Sequence, residues 1–139
     1  MNAKIKILPV FLCSILLANC SKDQVDEKAF LNGTYEMEVY QHYFNSGQTV
    51  WDTTWHQEIM VQVLDDENIH ILALETPNDV QEFEETNMNG DEWWFRGACF
   101  APSNCIRAAF YRQNDSLRVI KSSGGIGAGL STTYSGVKQ

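Results

Sequence analysis

After the first 29 residues, apolar side chains recur at every second position, which is the period of a β-strand and not that of a helix. Tyr35, Met37 and Val39, for example, alternate with Glu36 and Glu38. Such alternation predicts strands with one face in a core and the other in solvent. We expect burial of Tyr35, Val39, Ile59, Val61, Phe110 and Val119, and exposure of Glu36, Glu38, Glu58 and Arg107.

Eight such runs are separated by short clusters of turn-forming residues such as Asn, Asp, Gly and Ser. Short connections favour antiparallel neighbours, because parallel ones need crossovers of a dozen or more residues. The pattern therefore predicts an all-β fold, an antiparallel meander of about eight strands that forms a small barrel or a strongly curved sheet. The predicted strands cover residues 33–44, 51–64, 69–74, 80–86, 92–99, 105–112, 117–121 and 130–137.

The three histidines of the chain are the candidates for a nitrogen-rich metal site or a proton shuttle. The predicted turns place His42 opposite Trp51 and His70 opposite Val63, with His56 on the second strand. In this arrangement the three side chains do not converge, so we interpret them as polar residues on outward faces. A metal or catalytic site is the alternative, and the sequence predicts no cofactor.

The first 19 residues have the three parts of a secretory signal. Lys4 and Lys6 provide the positive end, an apolar run covers residues 7–18, and a short exit follows. This run is shorter than the roughly 20 apolar residues of a membrane-spanning helix, which favours an export signal over a permanent anchor. We therefore divide the chain into a cleaved signal peptide (1–19), a flexible tether (20–29) and a single β domain (30–139).

The signal ends in Leu17-Ala18-Asn19-Cys20, which resembles the lipobox of bacterial lipoproteins, although Asn19 stands where Gly, Ala or Ser is usual. The resemblance implies that Cys20 receives diacylglycerol, becomes the mature N-terminus and anchors the protein in the cell envelope. Ser21 rather than Asp after the cysteine resembles lipoproteins that are sorted to the outer membrane of Gram-negative bacteria. This resemblance implies an anchor in that membrane and leaves the periplasmic or surface side open. The alternatives are an ordinary secretory signal cut near Ala18 and an uncleaved anchor.

The mature chain from Cys20 onward has 8 basic and 18 acidic side chains, a formal charge of −10. A charge of this sign repels nucleic acid and anionic lipid headgroups, so we exclude both as partner surfaces. Contact with the membrane is therefore expected through the N-terminal lipid alone.

Two cysteines remain in the β domain, Cys99 and Cys105, with the turn-forming Pro-Ser-Asn between them. Export into an oxidising compartment favours a disulfide between them. The alternatives are a redox pair or half of a metal site. Neither matches the spacing, since the chain has no Cys-x-x-Cys motif.

Tryptophan offers the best indication of binding in the sequence. Trp93 and Trp94 are neighbours in a predicted strand, so their side chains point to opposite faces and at least one lies outside the core or lines an inner surface. We therefore treat both as candidate contacts for a ligand or partner. The plainer interpretation is one core tryptophan and one partly exposed beside a charged neighbour.

Gly33-Thr34-Tyr35 at the start of the first strand resembles the Gly-x-Trp start of lipocalin-like domains, with Tyr in place of Trp. This resemblance implies a small barrel with an apolar interior that takes a hydrophobic ligand, and it implies no catalytic residues. We accordingly expect a lipid-anchored envelope protein with a non-enzymatic binding or structural role, whose partner is an envelope protein or glycan. The alternatives are a lipocalin-like carrier of a small apolar molecule and, third, an envelope enzyme.

Overall fold

A computed structural model of the chain describes residues 28–99, 101, 104–125 and 127–139. Eight antiparallel strands form one closed barrel, in which each strand pairs with the next along the chain and the last pairs with the first. The predicted all-β meander is therefore confirmed, and of the two predicted shapes it takes the barrel. The predicted signal peptide, Cys20 and most of the predicted tether lie outside the described residues.

The strands are β1 (Gly33–Asn45), β2 (Gln48–Val63), β3 (Asn68–Leu72), β4 (Val80–Asn89), β5 (Glu92–Cys99), β6 (Cys105–Tyr111), β7 (Ser116–Gly125) and β8 (Ala128–Lys138). Two single turns of 3-10 helix complete the elements, Ala29–Leu31 before β1 and Arg112–Asn114 between β6 and β7. Among the described residues, no helix has the length and apolar character needed to cross a membrane.

The last two strands are longer than the alternation indicates. The predicted strands end at residue 121 and resume at residue 130, on either side of a segment rich in glycine. β7 and β8 nevertheless stay paired as far as Gly125 and Ala128, so Gly124, Gly125, Ala128 and Gly129 belong to a long hairpin. Gly124 has a φ of +141° and lies against the backbone of Gly129, where no Cβ would fit. The glycines therefore lengthen the hairpin, a feature that hydrophobic alternation does not reveal.

Two predicted cross-strand pairs are wrong by one residue. His42 lies opposite Asp52 because a β-bulge between Tyr43 and Phe44 inserts one extra residue, Val50, into β2. His70 lies opposite Gln62 because β3 begins one residue early, and the carboxylate of Asp65 closes a tighter turn before it. Neither change moves a side chain to the other face of its own strand.

The interior of the barrel is filled by side chains from all eight strands. The largest of them are at most 2 % exposed: Trp93, Tyr35, Phe83, Phe95, Phe110, Leu31, Met37, Ile59, Ile69, Ile71, Leu74 and Ile106. Phe110 meets Phe95 edge-on at 5.5 Å between ring centroids. The six side chains predicted to be buried are buried and the four predicted to be exposed are exposed, so the predicted faces are confirmed.

One end of the barrel, which we call the floor, is closed by the segment that precedes β1. Leu31 is fully buried, and the hydroxyl of Tyr35 donates a hydrogen bond of 3.0 Å to its carbonyl oxygen. The rings of Phe30 and Trp93 pack together with their centroids 5.0 Å apart. The guanidinium carbon of Arg112 lies over the Phe30 ring, 5.3 Å from its centroid. The chain therefore enters the described structure at the floor, and the opposite end is the mouth.

Candidate functional site

At the mouth, four strands continue past the other four. β2 pairs with β3 only over its last residues, from Met60 to Val63, and β7 leaves β6 after Ile120. Beyond these points the four long strands pair only with one another and extend as an open sheet. We call this the mouth sheet, and it consists of residues 41–45, 48–55, 121–125 and 128–132.

The inward face of these strands changes character from one rung to the next. The last apolar rung joins Val39, Trp55, Val119 and Tyr134. Above it is the polar rung, which consists of Gln41, Thr53, Lys121 and Thr132. The aromatic rung comes next and consists of Tyr43, Trp51, Ser123 and Leu130. The core therefore ends at one register position, and polar and aromatic groups follow in that order.

The polar rung is held by its own contacts. The side-chain amide of Gln41 donates a hydrogen bond of 3.0 Å to the hydroxyl of Thr132, which is only 4 % exposed. Lys121 forms an ion pair with Glu75 of the β3–β4 loop. Amide, hydroxyl, ammonium and carboxylate groups thus meet at one level, and they supply both hydrogen-bond donors and acceptors.

In the aromatic rung, Tyr43 and Trp51 lie directly opposite each other and their rings stack, 6.4 Å apart at an angle of 18°. Trp51 is 45 % exposed and the bulged Val50 beside it is 59 % exposed. Large apolar side chains in this position do not contribute to the barrel core. Their exposed surface is available for contact with a ligand.

The β3–β4 loop forms the other side of the mouth. The side-chain amide of Gln57 donates hydrogen bonds of 3.1 and 3.0 Å to the carbonyl oxygens of Ala73 and Leu74, and it accepts one of 2.9 Å from the indole of Trp55. Leu74 is 1 % exposed and closes the interior from above. An open cavity of about 260 Å³ therefore lies between this loop and the polar rung, outside the filled core.

Tyr134 lies just below that cavity. Burial raises the pKa of its phenol, and the carboxylate of Asp79 raises it further. The hydroxyl is neutral at physiological pH, as a tyrosine hydroxyl ordinarily is. It adds a neutral polar group at the base of the cavity.

Trp93 and Trp94 point to opposite faces of β5, as the alternation predicts. Trp93 is 1 % exposed and belongs to the core near the floor, so its own side chain is inaccessible to solvent. Trp94 is half-buried on the outer surface, where its indole donates a hydrogen bond of 3.3 Å to Glu92. The outward residue Trp94 is therefore the one accessible to a partner.

The surroundings of Trp94 are basic, although the chain as a whole is acidic. Residues 29–91 contain 13 acidic and no basic side chains, whereas residues 92–139 contain 6 basic and 2 acidic ones. Because each strand lies beside the next one along the chain, this order of charges becomes two sides of the barrel. The outer faces of β1–β4, which we call the acidic wall, expose Glu36, Glu38, Asp52, Glu58, Glu82 and Glu84. The outer faces of β5–β7, the basic wall, expose Arg96, Arg107 and Arg118.

The predicted disulfide joins Cys99 at the end of β5 to Cys105 at the start of β6, where the two residues lie directly opposite each other. It closes the mouth end of this hairpin. Beside it, the side-chain amide of Asn104 donates a hydrogen bond of 2.9 Å to the carbonyl oxygen of Gly124 in the mouth sheet. The disulfide and this hydrogen bond therefore both hold one side of the mouth.

The histidines lie on the outer faces of three successive strands. His42 stacks against Tyr40 at 5.3 Å, His56 lies opposite Glu38, and His70 lies between Gln62 and Glu82. Within the part of the chain that the structure describes, no three His, Cys, Asp or Glu residues come close enough together to hold a metal ion.

No family model matches the chain, and no curated protein matches it either. Its function is therefore inferred from the geometry above.

The mouth is the part of the site that alternation alone does not reveal. Gln41, Thr53 and Lys121 occupy inward positions that continue the apolar series, and each is polar. A polar residue at an inward position is the signal that marks where a core ends. The two walls have an equally direct signal, since the order of charged residues along a meander gives the sides of the barrel.

Proposed function

We propose that this protein is anchored by lipid on Cys20 in the outer membrane of a Gram-negative bacterium and binds a carbohydrate at the mouth of its barrel without altering it chemically. The observation that carries the proposal is the change along the inward faces of β1, β2, β7 and β8 from an apolar core to a polar rung and then an aromatic one.

The described chain begins at the end of the barrel opposite the mouth. The lipobox-like signal supports lipid attachment at Cys20, and the described chain begins at Lys28 beside the floor, where Lys28 pairs with Glu85. A lipid on Cys20 would keep the floor nearer the membrane. The mouth would then face away from the bilayer and be accessible to a ligand.

A carbohydrate suits the chemistry of the mouth. A sugar ring presents C–H groups on its faces and hydroxyl groups at its edge. The exposed faces of Trp51 and Tyr43 can pack against the C–H groups. The amide of Gln41 and the exposed hydroxyl of Thr53 can pair with the hydroxyl groups. Most binding sites combine apolar contact with a few oriented polar groups in this way.

A carrier of a small apolar molecule is less well supported. Such a carrier needs space inside the barrel, and the interior contains Trp93, Phe83, Phe95 and Phe110 at 1 % exposure or less. Leu31 closes it at the floor and Leu74 at the mouth. The accessible groups are at the mouth, and they are polar as well as apolar.

The binding claim is tested by titrating the protein with neutral oligosaccharides, such as maltohexaose, cellohexaose and chitohexaose, in a calorimeter. We expect at least one to bind, and we expect Trp51→Ala and Gln41→Ala each to weaken that binding roughly tenfold, the loss of one good contact. Met60→Ala is the control, because Met60 is similarly exposed, at 43 %, on the outer face of the same strand. Binding that survives Trp51→Ala unchanged would exclude the mouth as the site.

The anchor is tested separately with Cys20→Ser in a host that processes lipoproteins. We expect the mature wild-type N-terminus to carry acyl mass and to fractionate with membranes, whereas the variant accumulates as unprocessed or soluble material with an intact fold. A wild-type protein without acyl mass on Cys20 would contradict the lipid anchor. It would not bear on carbohydrate binding at the mouth.

A further inference from the structure

The basic wall is the strongest feature outside the mouth. On its outer surface Trp94, Ala109 and Arg118 lie side by side on β5, β6 and β7. In the next rung toward the mouth, Arg96 lies directly opposite Arg107. Ala109 is only 2 % exposed although it points outward, so its neighbours' larger side chains cover it. One indole and three guanidinium groups therefore share a patch about three strands wide.

The protein itself neutralises these arginines only in part, because Arg107 and Arg118 form no ion pair among the described residues. Among the described residues, the ion pairs involve Lys28, Arg96 and Lys121, and the Arg96 contact with Glu84 is long, at 3.9 Å. Like charges directly opposite each other in a sheet are destabilising. Arg96 and Arg107 repel each other although both are exposed, so a neutral residue in either position would not disturb the core. An anionic ligand would relieve it.

We propose that the basic wall binds an anionic polysaccharide, independently of the mouth. The guanidinium fork pairs with carboxylate, sulfate or phosphate through two parallel hydrogen bonds, and the exposed face of Trp94 packs on a sugar ring. Every arginine of the chain lies between positions 96 and 118, whereas the lysines are elsewhere. The residue type with the better geometry for oxyanions is thus concentrated on this wall.

The shape of the patch favours a polymer chain over a membrane surface. A groove of about 350 Å³ follows Trp94, Arg96 and Arg107. A larger one of about 700 Å³ lies toward the floor, where Asp91 and Glu92 line it together with Arg118. Glu84 and Glu92 flank the arginines on β4 and β5. A broad anionic surface would meet these carboxylates as well, whereas a narrow chain can follow the groove of Trp94, Arg96 and Arg107, which no carboxylate lines.

Heparin, which is both sulfated and carboxylated, is the probe for this site. The protein is purified in detergent as the host processes it, and binding is measured at several salt concentrations. We expect heparin to bind with an affinity that falls as salt screens the charges, whereas any neutral dextran that binds at the mouth should do so independently of salt. Arg107→Gln together with Arg118→Gln should weaken binding at least tenfold, and Trp94→Ala should weaken it several-fold with the salt dependence unchanged.

Lys28→Gln together with Lys138→Gln is the matched control, because it also removes two positive charges, both at the floor and away from Arg107. Thermal unfolding of each variant verifies the fold. In a second experiment, which needs no variant, heparin should shift the indole N–H signal of Trp94 in the wild-type protein. The proposal is overturned if heparin does not bind, if the arginine variants bind it like the wild type, or if anionic lipid vesicles bind and heparin does not.

Discussion

The lower and upper halves of β1, β2, β7 and β8 belong to the same continuous strands and differ in inward chemistry. Toward the floor, Tyr35, Met37 and Ile59 are at most 2 % exposed and fill the barrel. Toward the mouth, the same faces present Gln41, Lys121 and the 45 % exposed Trp51. Pairing between strands extends well past the point where apolar burial ends. The lower half therefore stabilises the fold, and the upper half is available for binding.

The largest expected effect is a difference in the free energy of unfolding between a substitution in the core and one at the mouth. Phe110 is 1 % exposed and contacts both Phe95 and Tyr35, so we expect Phe110→Ala to lower the free energy of unfolding. Truncating a buried phenylalanine costs about 3–5 kcal/mol, from lost transfer energy and the cavity that remains. Trp51→Ala at the mouth should change it by no more than about 0.5 kcal/mol. Urea denaturation measures both, and equal losses would mean that Trp51 belongs to the core.

The disulfide comes next in size. Its loop contains seven residues from Cys99 to Cys105, counted from a sequence separation of 6. In the chain-entropy model, removing it with the double change Cys99→Ser and Cys105→Ser costs about 2.4 kcal/mol. Chemical denaturation under non-reducing conditions tests this value. A variant as stable as the wild type would show that the mouth end of β5 and β6 is held without the bond.

A smaller effect is expected from the polar rung. The hydrogen bond between Gln41 and Thr132 is partly buried, and a bond of this kind contributes about 1 kcal/mol net. Gln41→Ala and Thr132→Val should each be mildly destabilising, and a double-mutant cycle should return a coupling energy of that order. A coupling energy near zero would mean that the two groups are held by solvent and not by each other.

The smallest effect concerns the β2–β3 turn at the floor. The Asp65 carboxylate accepts hydrogen bonds from the backbone N–H of Glu67 and from the side chain and backbone of Asn68, which lower its pKa. Its contribution is therefore present above the unfolded pKa, about 3.9, and is lost as pH falls through the lower folded value. Thermal melting of wild type and Asp65→Asn should differ slightly near pH 6 and converge in acid. A difference that grows in acid would contradict this sign.

Alternation along the chain predicts the strands, their faces and the core because one buried side of a strand leaves a period of two. The register is less predictable, since the bulge at Val50 depends on local backbone geometry that the polar and apolar pattern does not encode. The glycine hairpin between β7 and β8 is missed for the same reason. Glycines favour a loop by composition, yet the backbone contact between Gly124 and Gly129 lets the strands continue.

The two candidate surfaces differ in how far the sequence indicates them. The opposite faces of Trp93 and Trp94 follow from alternation, and the interpretation of one core and one surface tryptophan is confirmed. A net charge of −8 for the whole chain hides the basic wall, because a single sum does not retain the order of charges. The mouth depends on four strands from the two ends of the chain, and only their pairing brings Gln41 beside Thr132.

The four tryptophans of the chain report on whether the barrel is filled and whether a ligand binds at its mouth. Trp51 and Trp55 report on the mouth, Trp93 on the core and Trp94 on the basic wall, and each indole N–H gives its own signal in a ¹H–¹⁵N spectrum. A neutral oligosaccharide that binds should shift the signals of Trp51 and Trp55 and leave that of Trp93 unchanged. A fatty acid that shifts Trp93 while the fold stays intact would mean that ligand enters the barrel, and it would contradict the account.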